Sequence, residues 1–242
     1  AHYLGLTGEP QRSLPDAERA VALFHAEGDG FGEAAACRST AMTLGRLGHL
    51  PEALAFSERA LVLAEELRER RQIALALSEV AWVQLLMGDL HSAREAGTAA
   101  VSGFRALGER SALANTVYEL GLTEARLGHK AEAVRCFEES GRVATDIGER
   151  PLVAATTRGL AAADIGARDA VPALRRSLGT FRQVAALSEQ AVTLRLLALA
   201  HDACGEPGAA EDARAEADRL SDRPDLVSNV KLDALVTLST LD

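Results

Sequence analysis

The stretch LGERSALANTVYELGLTEARLGHK, residues 107–130, has the apolar spacing of a single helix, but it places Gly121 near the middle of that helix. A glycine inside a helix costs about 1 kcal/mol relative to alanine, so its presence needs a reason. From this stretch alone, two explanations are open. Either the backbone at Gly121 approaches a bound ligand, or a neighbouring helix packs too close for any side chain.

The motifs in this stretch recur at intervals of 40 residues. LRER begins at 67, LGER at 107, IGER at 147 and LSEQ at 187, while LGHL begins at 47, MGDL at 87 and LGHK at 127. Self-similarity at a fixed period is the signature of a repeat architecture. Counted back from each turn, the position of Gly121 is filled elsewhere by Ala41, Ala81, Gly159 and Ala198. A unique ligand site would not recur in every copy, so we interpret Gly121 as a close helix–helix crossing.

Each copy has the pattern of two helices joined by a short turn. Residues 71–87 carry apolar side chains at helical spacing and are followed by Gly88, a residue typical of a left-handed helix end. Residues 90–107 form the partner helix, and no segment alternates in the manner of a strand. One helical hairpin cannot bury its apolar stripe alone, so the sequence predicts an all-α solenoid of antiparallel helix pairs.

The expected domain organisation follows from the phase of the repeat. Residues 1–220 are predicted to form the array, which starts with a half unit at 13–27. About five units follow, at roughly 30–68, 70–108, 110–148, 150–188 and 189–220. Residues 221–242 fall out of register and are predicted to be a linker and a C-terminal capping helix. The chain begins at Ala1, so we expect it to be part of a longer protein.

These residues resemble the tetratricopeptide repeat. That motif has a small residue in the first helix, glycine at the turn, alanine early in the second helix, an aromatic residue four positions later and a small residue beyond it. In the third full unit these are Gly121, Gly128, Ala133, Phe137 and Ser140. The resemblance implies a right-handed superhelix whose first helices line a concave groove. The period of 40 exceeds the usual 34, and this long form resembles the C-terminal sensor arrays of bacterial transcriptional regulators, including those of actinobacteria.

Composition and charge exclude several classes of function. The net charge of −9 argues against binding of a phosphate backbone, and no apolar run is long enough to cross a membrane. Three scattered cysteines favour a reducing, cytoplasmic location. The six histidines and the cysteines show no ligand spacing, and there is no phosphate-binding loop, nucleophile elbow or catalytic triad pattern. We therefore predict no metal, no cofactor and no catalytic residue.

The candidate site is the groove-facing side of the first helices. Offsets from the crossing residue place a set of aromatic, apolar and polar side chains on that side: Arg38, Met42, Ser78, Trp82, Asn115, Tyr118, Leu122 and Arg195. Tryptophan, tyrosine and arginine are the residues that most often anchor interfaces. For Trp82 the alternative is packing between adjacent helices. For Arg38 and Arg195 the alternative to pairing with a ligand carboxylate is simple solvation.

The sequence therefore predicts a non-enzymatic module that binds a protein, a peptide or a small effector in its groove. The competing hypothesis is a structural or oligomerisation scaffold that packs through its second helices or its ends. Residues 226–242 carry an apolar stripe at Leu232, Leu235, Val236 and Leu238. We expect this segment to cover the last hairpin. The alternative is insertion into the groove of its own molecule or of a neighbouring one, which would allow self-association.

Overall fold

The computed structural model describes residues 10–220 and 226–241, with side-chain surroundings from residue 14 in the first range and from residue 230 in the second. Twelve α-helices and no strand occur in these ranges, which confirms the all-α prediction. The helices are α1 (Pro10–Glu27), α2 (Gly30–Leu47), α3 (Leu50–Glu66), α4 (Arg70–Met87), α5 (Leu90–Leu107), α6 (Arg110–Arg126), α7 (Lys130–Asp146), α8 (Arg150–Ala163), α9 (Ala170–Gln183), α10 (Leu187–Ala203), α11 (Pro207–Leu220) and α12 (Leu226–Ser239).

Neighbouring helices pair as the repeat requires. α2 packs on α3, α4 on α5, α8 on α9 and α10 on α11, while α1 supplies a second helix ahead of α2. We call α2, α4, α6, α8 and α10 the first helices and their partners the second helices. The last pair begins at Leu187, slightly earlier than the sequence indicated. The predicted half unit at 13–27 lies within α1, whereas residues 1–9 and the linker at 221–225 lie outside the described residues.

The helices group into two compact blocks. The N-terminal block ends at Thr116 and the C-terminal block begins at Val117, so the boundary falls inside α6. In the N-terminal block, Ala100 and Phe104 of α5 form a buried cluster with Ala74 of α4. Because most core positions in this block are alanine, the helices approach closely and a larger side chain would have little room.

The turn at Gly88 shows why the repeat motif specifies helix pairs. Gly88 has φ of 83°, in the left-handed region that favours glycine, and it ends α4. The Asp89 backbone N–H then donates to the Gln84 carbonyl at 3.0 Å, as in a Schellman C-terminal cap. Asp89 also caps the N-terminus of α5, where its side chain accepts a hydrogen bond from the Ser92 N–H. Two consecutive residues thus end one helix and start the next.

Gly121 is a packing residue, as the repeat predicted. A Cβ atom there would lie 2.7 Å from Cε1 of Phe137, which is fully buried. Gly159 approaches the same ring from α8, where a Cβ would lie 2.8 Å from Phe137 Cδ2. Phe137 of α7 is therefore held between two glycines on successive first helices, and neither glycine position has room for a methyl group.

This geometry corrects the alignment of α8 that the turn motifs suggested. α8 ends at Ala163, so it is shorter than α6 at its C-terminal end, and Asp164 leaves the helical conformation with φ of −139°. Counting back from the turn therefore misplaces α8 by two residues. Counted from the helix start, the position of Gly121 corresponds to Ala161, and Gly159 occupies a different crossing.

Candidate partner-binding face

The ninth residues of the first helices hold equivalent positions in the repeat, and we call this set of residues the ninth-position row. Its members are Arg38 and Ser78 in the N-terminal block, followed by Tyr118, Arg158 and Arg195 in the C-terminal block. Four of the five belong to contacts that join one first helix to the next. These residues therefore link successive first helices within each block.

In the N-terminal block, the row forms hydrogen bonds between α2, α4 and α6. Arg38 Nη1 donates to Gln72 Oε1 at 3.1 Å, and the hydroxyls of Ser78 and Thr116 lie 3.0 Å apart. Arg38 is thus a half-buried, bonded side chain rather than a solvated one, and burial lowers the pKa of its guanidinium while Glu79 partly offsets that effect. Arg38 and Ser78, both predicted site residues, therefore each form a hydrogen bond with the next first helix.

Two polar atoms of the predicted site in this block are buried without a hydrogen-bond partner. They are Nε of Arg38, a donor, and Oδ1 of Asn115, an acceptor. The Asn115 amide Nδ2 donates to the Ser111 carbonyl at 2.9 Å. This hydrogen bond fixes the side chain, while its Oδ1 accepts no hydrogen bond. An unmade hydrogen bond on a buried polar atom costs about 1–3 kcal/mol, and a ligand that supplied the missing partner would recover it.

Trp82 lies on the same block and takes part in packing. Its six-membered ring rests on Gly45, where an added Cβ would come within 2.5 Å of Cζ3. Trp82 is nevertheless only half-buried, as is Met42, so both retain exposed surface. The structure thus brings Trp82 into the core cluster of Leu44 and Val83 and leaves part of its ring open.

The C-terminal block places the remaining predicted residues in the interior. Tyr118 and Leu122 are buried, with 0% and 2% of their surfaces exposed. The Tyr118 ring centroid lies 5.5 Å from that of Phe137. Arg195 is partly exposed and pairs with Asp218 of α11 at 3.6 Å, so it is not simply solvated. In this conformation neither Tyr118 nor Leu122 is available to a partner at the surface.

The centre of this block is a charged cluster around Arg158, which has no exposed surface. Its Nη2 lies 2.7 Å from Glu189 Oε2, and the same nitrogen donates to the Tyr118 hydroxyl at 3.1 Å. Its Nη1 donates to Thr193 Oγ1 at 3.2 Å, and the guanidinium carbon lies 5.1 Å from the centroid of the Phe181 ring. Both terminal nitrogens of Arg158 are thus paired, as a buried arginine requires, while its Nε is buried without a hydrogen-bond partner.

A second cation reaches Glu189 from α12, because Lys231 Nζ pairs with Glu189 Oε1. Burial alone would raise the pKa of Glu189, but the charges and hydrogen bonds of Lys231 and Arg158 outweigh it and lower the pKa to about 2. Glu189 is therefore ionised at every physiological pH. It joins three elements of the block, namely α8, α10 and α12.

α12 lies across the first helices of the C-terminal block. It packs on α10 and α8, and Asp233 forms an ion pair with Arg126 of α6 at 3.2 Å. At its end, the Leu241 carbonyl accepts a hydrogen bond from Lys130 Nζ at 2.5 Å, at the start of α7. A helix that covered only the last hairpin would contact α10 and α11. Capping of the last hairpin therefore explains the contact of α12 with α10 but not its contacts with α8 and α6.

The apolar stripe of α12 also differs from the sequence expectation. The buried side chains are Val230, Ala234, Leu235 and Leu238. Leu232 and Val236 are half-buried, so the stripe is rotated relative to the one predicted. The rotation places Lys231 beside the buried stripe, where it reaches Glu189.

Sequence reasoning missed Arg158, Glu189 and Lys231. Arg158 could have been found, since it follows Tyr118 by one period of 40 residues and belongs to the row that starts at Arg38. Counting back from the turn misplaced α8 by two residues, so Thr156 was aligned with Tyr118 instead of Arg158. Glu189 and Lys231 carry no local signal of their contact, because 42 residues separate them.

Two further features bear on what this face can do. In the part of the chain that the structure describes, histidine, cysteine and acidic side chains form no group of three that would hold a metal ion. Over the same residues, no helix combines the length and apolarity needed to cross a bilayer. An open cleft between α7 and α8, with Arg142 and Thr157 in its lining, includes none of the predicted site residues.

Comparison with solved structures assigns the architecture. The chain is similar to BtubC from P. vanneervenii, with a TM-score of 0.69 and 17% identity over 89% of this chain and 92% of that one. It is also similar to apo RapI, with a TM-score of 0.72 and 15% identity over 88% of this chain and 78% of that one.

A Rap protein complexed with Competence and Sporulation Factor gives a TM-score of 0.73 and 16% identity over 89% of this chain and 60% of that one. The fold is a TPR-like solenoid. Identities this low support the fold and not a shared function. No protein-family model and no curated protein matches the chain.

Proposed function

We propose that this protein is a non-enzymatic binding module whose first-helix face takes up a segment of a protein or a peptide. The observation that carries the proposal is the pair of unsatisfied buried atoms in the N-terminal block, the donor Nε of Arg38 and the acceptor Oδ1 of Asn115. A peptide backbone offers a carbonyl and an N–H in every residue, which are the acceptor that Arg38 Nε lacks and the donor that Asn115 Oδ1 lacks.

The surroundings of these atoms suit a peptide better than a small charged effector. Trp82 and Met42 leave half-buried apolar surface on the same block, which a peptide side chain would cover. One structural neighbour is a Rap protein in complex with Competence and Sporulation Factor, so a solenoid of similar fold is known with a partner bound. A carboxylate on the partner would add an ion pair with Arg38.

We also propose a wider setting for the module, based on the resemblance of its long repeat to known sensor arrays. The resemblance to sensor arrays supports a role as the C-terminal regulatory part of a larger bacterial transcriptional regulator in the cytoplasm. The net charge of −9 fits a segment that senses a partner while another domain binds DNA. The competing proposal is a scaffold that packs through its second helices or ends.

The test uses Trp82, the one tryptophan of the chain, as an internal reporter. Peptides without tryptophan are selected from a random display pool, and their affinity is measured by the change in Trp82 emission and by calorimetry. Arg38→Met removes the unsatisfied donor and keeps the apolar stem, so we expect binding to weaken about tenfold, and Trp82→Ala to weaken it similarly. Both variants should keep the helical circular dichroism of the wild type.

The matched control is Arg135→Met on the second helix α7, where Arg135 is exposed and pairs only locally with Glu132. This variant should bind like the wild type. If Arg135→Met abolishes binding and Arg38→Met and Trp82→Ala leave it unchanged, the second-helix surface is the binding face, and the scaffold proposal replaces this one.

A further inference from the structure

The first-helix face of the C-terminal block already holds a helix. α12 has 14 residues and buries one apolar stripe on α8 and α10, with Leu235 and Leu238 fully buried. Beside this stripe, Lys231 inserts its ammonium group next to Glu189, which is only 7% exposed. The face therefore accepts an amphipathic helix and offers a buried carboxylate to a cation at one defined point.

We infer that this face is a docking site for a lysine-bearing amphipathic helix of a partner protein, and that α12 is an internal occupant which the partner displaces. The inference rests on the proposed binding function and specifies the partner for the C-terminal block. The partner helix carries an apolar stripe like that of Leu235 and Leu238, with a lysine on the adjoining edge that takes the place of Lys231.

The face keeps its structure when α12 leaves, because the charge of Glu189 does not depend on Lys231 alone. Arg158 remains 2.7 Å from Glu189 Oε2 and keeps its contacts with Tyr118, Thr193 and Phe181. A buried carboxylate that retained no cation would be strongly destabilising. Since Arg158 supplies one, displacement of Lys231 leaves a balanced ion pair within the block.

α12 itself depends on docking for its helical structure. An isolated helix shorter than about 12–15 residues is marginal in water even when its residues favour the helix, and α12 contains several β-branched residues that do not. Its second ion pair, between Asp233 and Arg126, lies at the rim, where Asp233 is 62% exposed and contributes little. Apart from the hydrogen bond that Lys130 donates to the Leu241 carbonyl beyond the end of the helix, attachment comes from the apolar stripe and Lys231, and a partner helix with these two features competes directly.

The experiment measures binding of a fluorescent synthetic peptide with the sequence of residues 226–241 to the full chain by anisotropy. Leu235→Asp places a carboxylate in the buried stripe of the chain's own α12 and should release it. The matched control, Thr240→Asp, places the same group at an exposed position of the segment. We expect the Leu235→Asp chain to bind the peptide at least about tenfold more tightly than the wild type or Thr240→Asp does, because the internal competitor is gone.

Specificity is tested on both partners of the ion pair. Replacing Lys231 by methionine in the peptide, or adding Glu189→Gln to the Leu235→Asp chain, should weaken binding at least about tenfold. Equal peptide affinity for the wild type and Leu235→Asp, or indifference to both charge changes, would overturn the inference. Such a result would leave the Trp82 measurements on the N-terminal block standing, so the two failures are distinguishable.

Amide hydrogen exchange of the wild type tests the inference independently, and it is decisive if Leu235→Asp fails to fold. A displaceable α12 exchanges its amides faster than α8 and α10 do, because it opens without the rest of the block. Protection of α12 equal to that of α8 and α10 would show an integral part of the core and overturn the inference. A wild-type dimer that Leu235→Asp dissolves would also overturn it, in favour of exchange of α12 between copies.

Discussion

Arg158 of α8 and Glu189 of α10 form a buried ion pair with 2.7 Å between Nη2 and Oε2, and it joins two successive first helices. In the N-terminal block, Arg38 and Gln72 occupy the same two helix positions, and Arg38 Nη1 donates to Gln72 Oε1 at 3.1 Å. The same kind of contact thus occurs in each block, between the ninth residue of a first helix and the third residue of the next first helix. In the C-terminal block this contact is an ion pair, and Glu189 also pairs with Lys231 of α12.

The Arg158 pair should be essential for the stability of the C-terminal block. Arg158→Met removes the fully buried guanidinium and its contacts with Tyr118 and Thr193, so we expect a loss of about 3–5 kcal/mol in the free energy of unfolding. The comparison is Arg135→Met, at an exposed ion pair, which should change it by less than about 1 kcal/mol. Urea denaturation measures both, and equal effects would contradict the role given to burial.

The stability of the protein should depend on the ionisation of Glu189 in acid. The pKa of this carboxyl is about 2 in the folded state, below its ordinary value of 4.5, so the unfolded chain binds the proton more readily. Its contribution is fully present above pH 4.5 and is lost as the pH falls from 4.5 towards 2. Glu189→Gln should be less stable at pH 7 and should show a shallower decline between these values. Parallel stability curves for the two proteins would contradict the assignment.

Phe137 should tolerate no methyl group at either flanking glycine. Gly121→Ala and Gly159→Ala place a Cβ within 3 Å of its ring, so each should destabilise by about 1–3 kcal/mol despite the better helix propensity of alanine. The control is Gly179→Ala in α9, where no heavy atom lies within 4 Å of the added Cβ. That variant should gain about 0.5–1 kcal/mol. A loss at Gly179 equal to that at Gly121 would show that the Phe137 contact is not the cause.

The segment should have no DNA affinity of its own. Its net charge of −9 provides no release of counterions from a phosphate backbone. Titration of a labelled random duplex with micromolar protein should therefore give no change in anisotropy at low or moderate salt. Binding that weakens as salt increases would contradict this prediction and would require a basic surface.

The repeat made the helix pairs predictable because their determinants are local. Gly88 and Asp89 end one helix and begin the next through contacts within a few residues, so a short motif is sufficient to place the turn. The recurrence of a small residue at the position of Gly121 likewise indicates a close helix crossing, and in the structure Phe137 packs against this glycine. Such features repeat with the sequence and can be read without a structure.

The contacts of the candidate binding face could not be predicted from local sequence patterns, because the residues that form them are distant in the chain. The short C-terminal end of α8 shifts the count from the turn by two residues, and the structure shows that Arg158, not Thr156, aligns with Tyr118. Lys231 meets Glu189 across 42 residues, since the path of α12 over α10 and α8 brings them together. Local patterns determined the helices and their pairing, whereas the contacts between non-adjacent helices determined which side chains are buried and which remain for a partner.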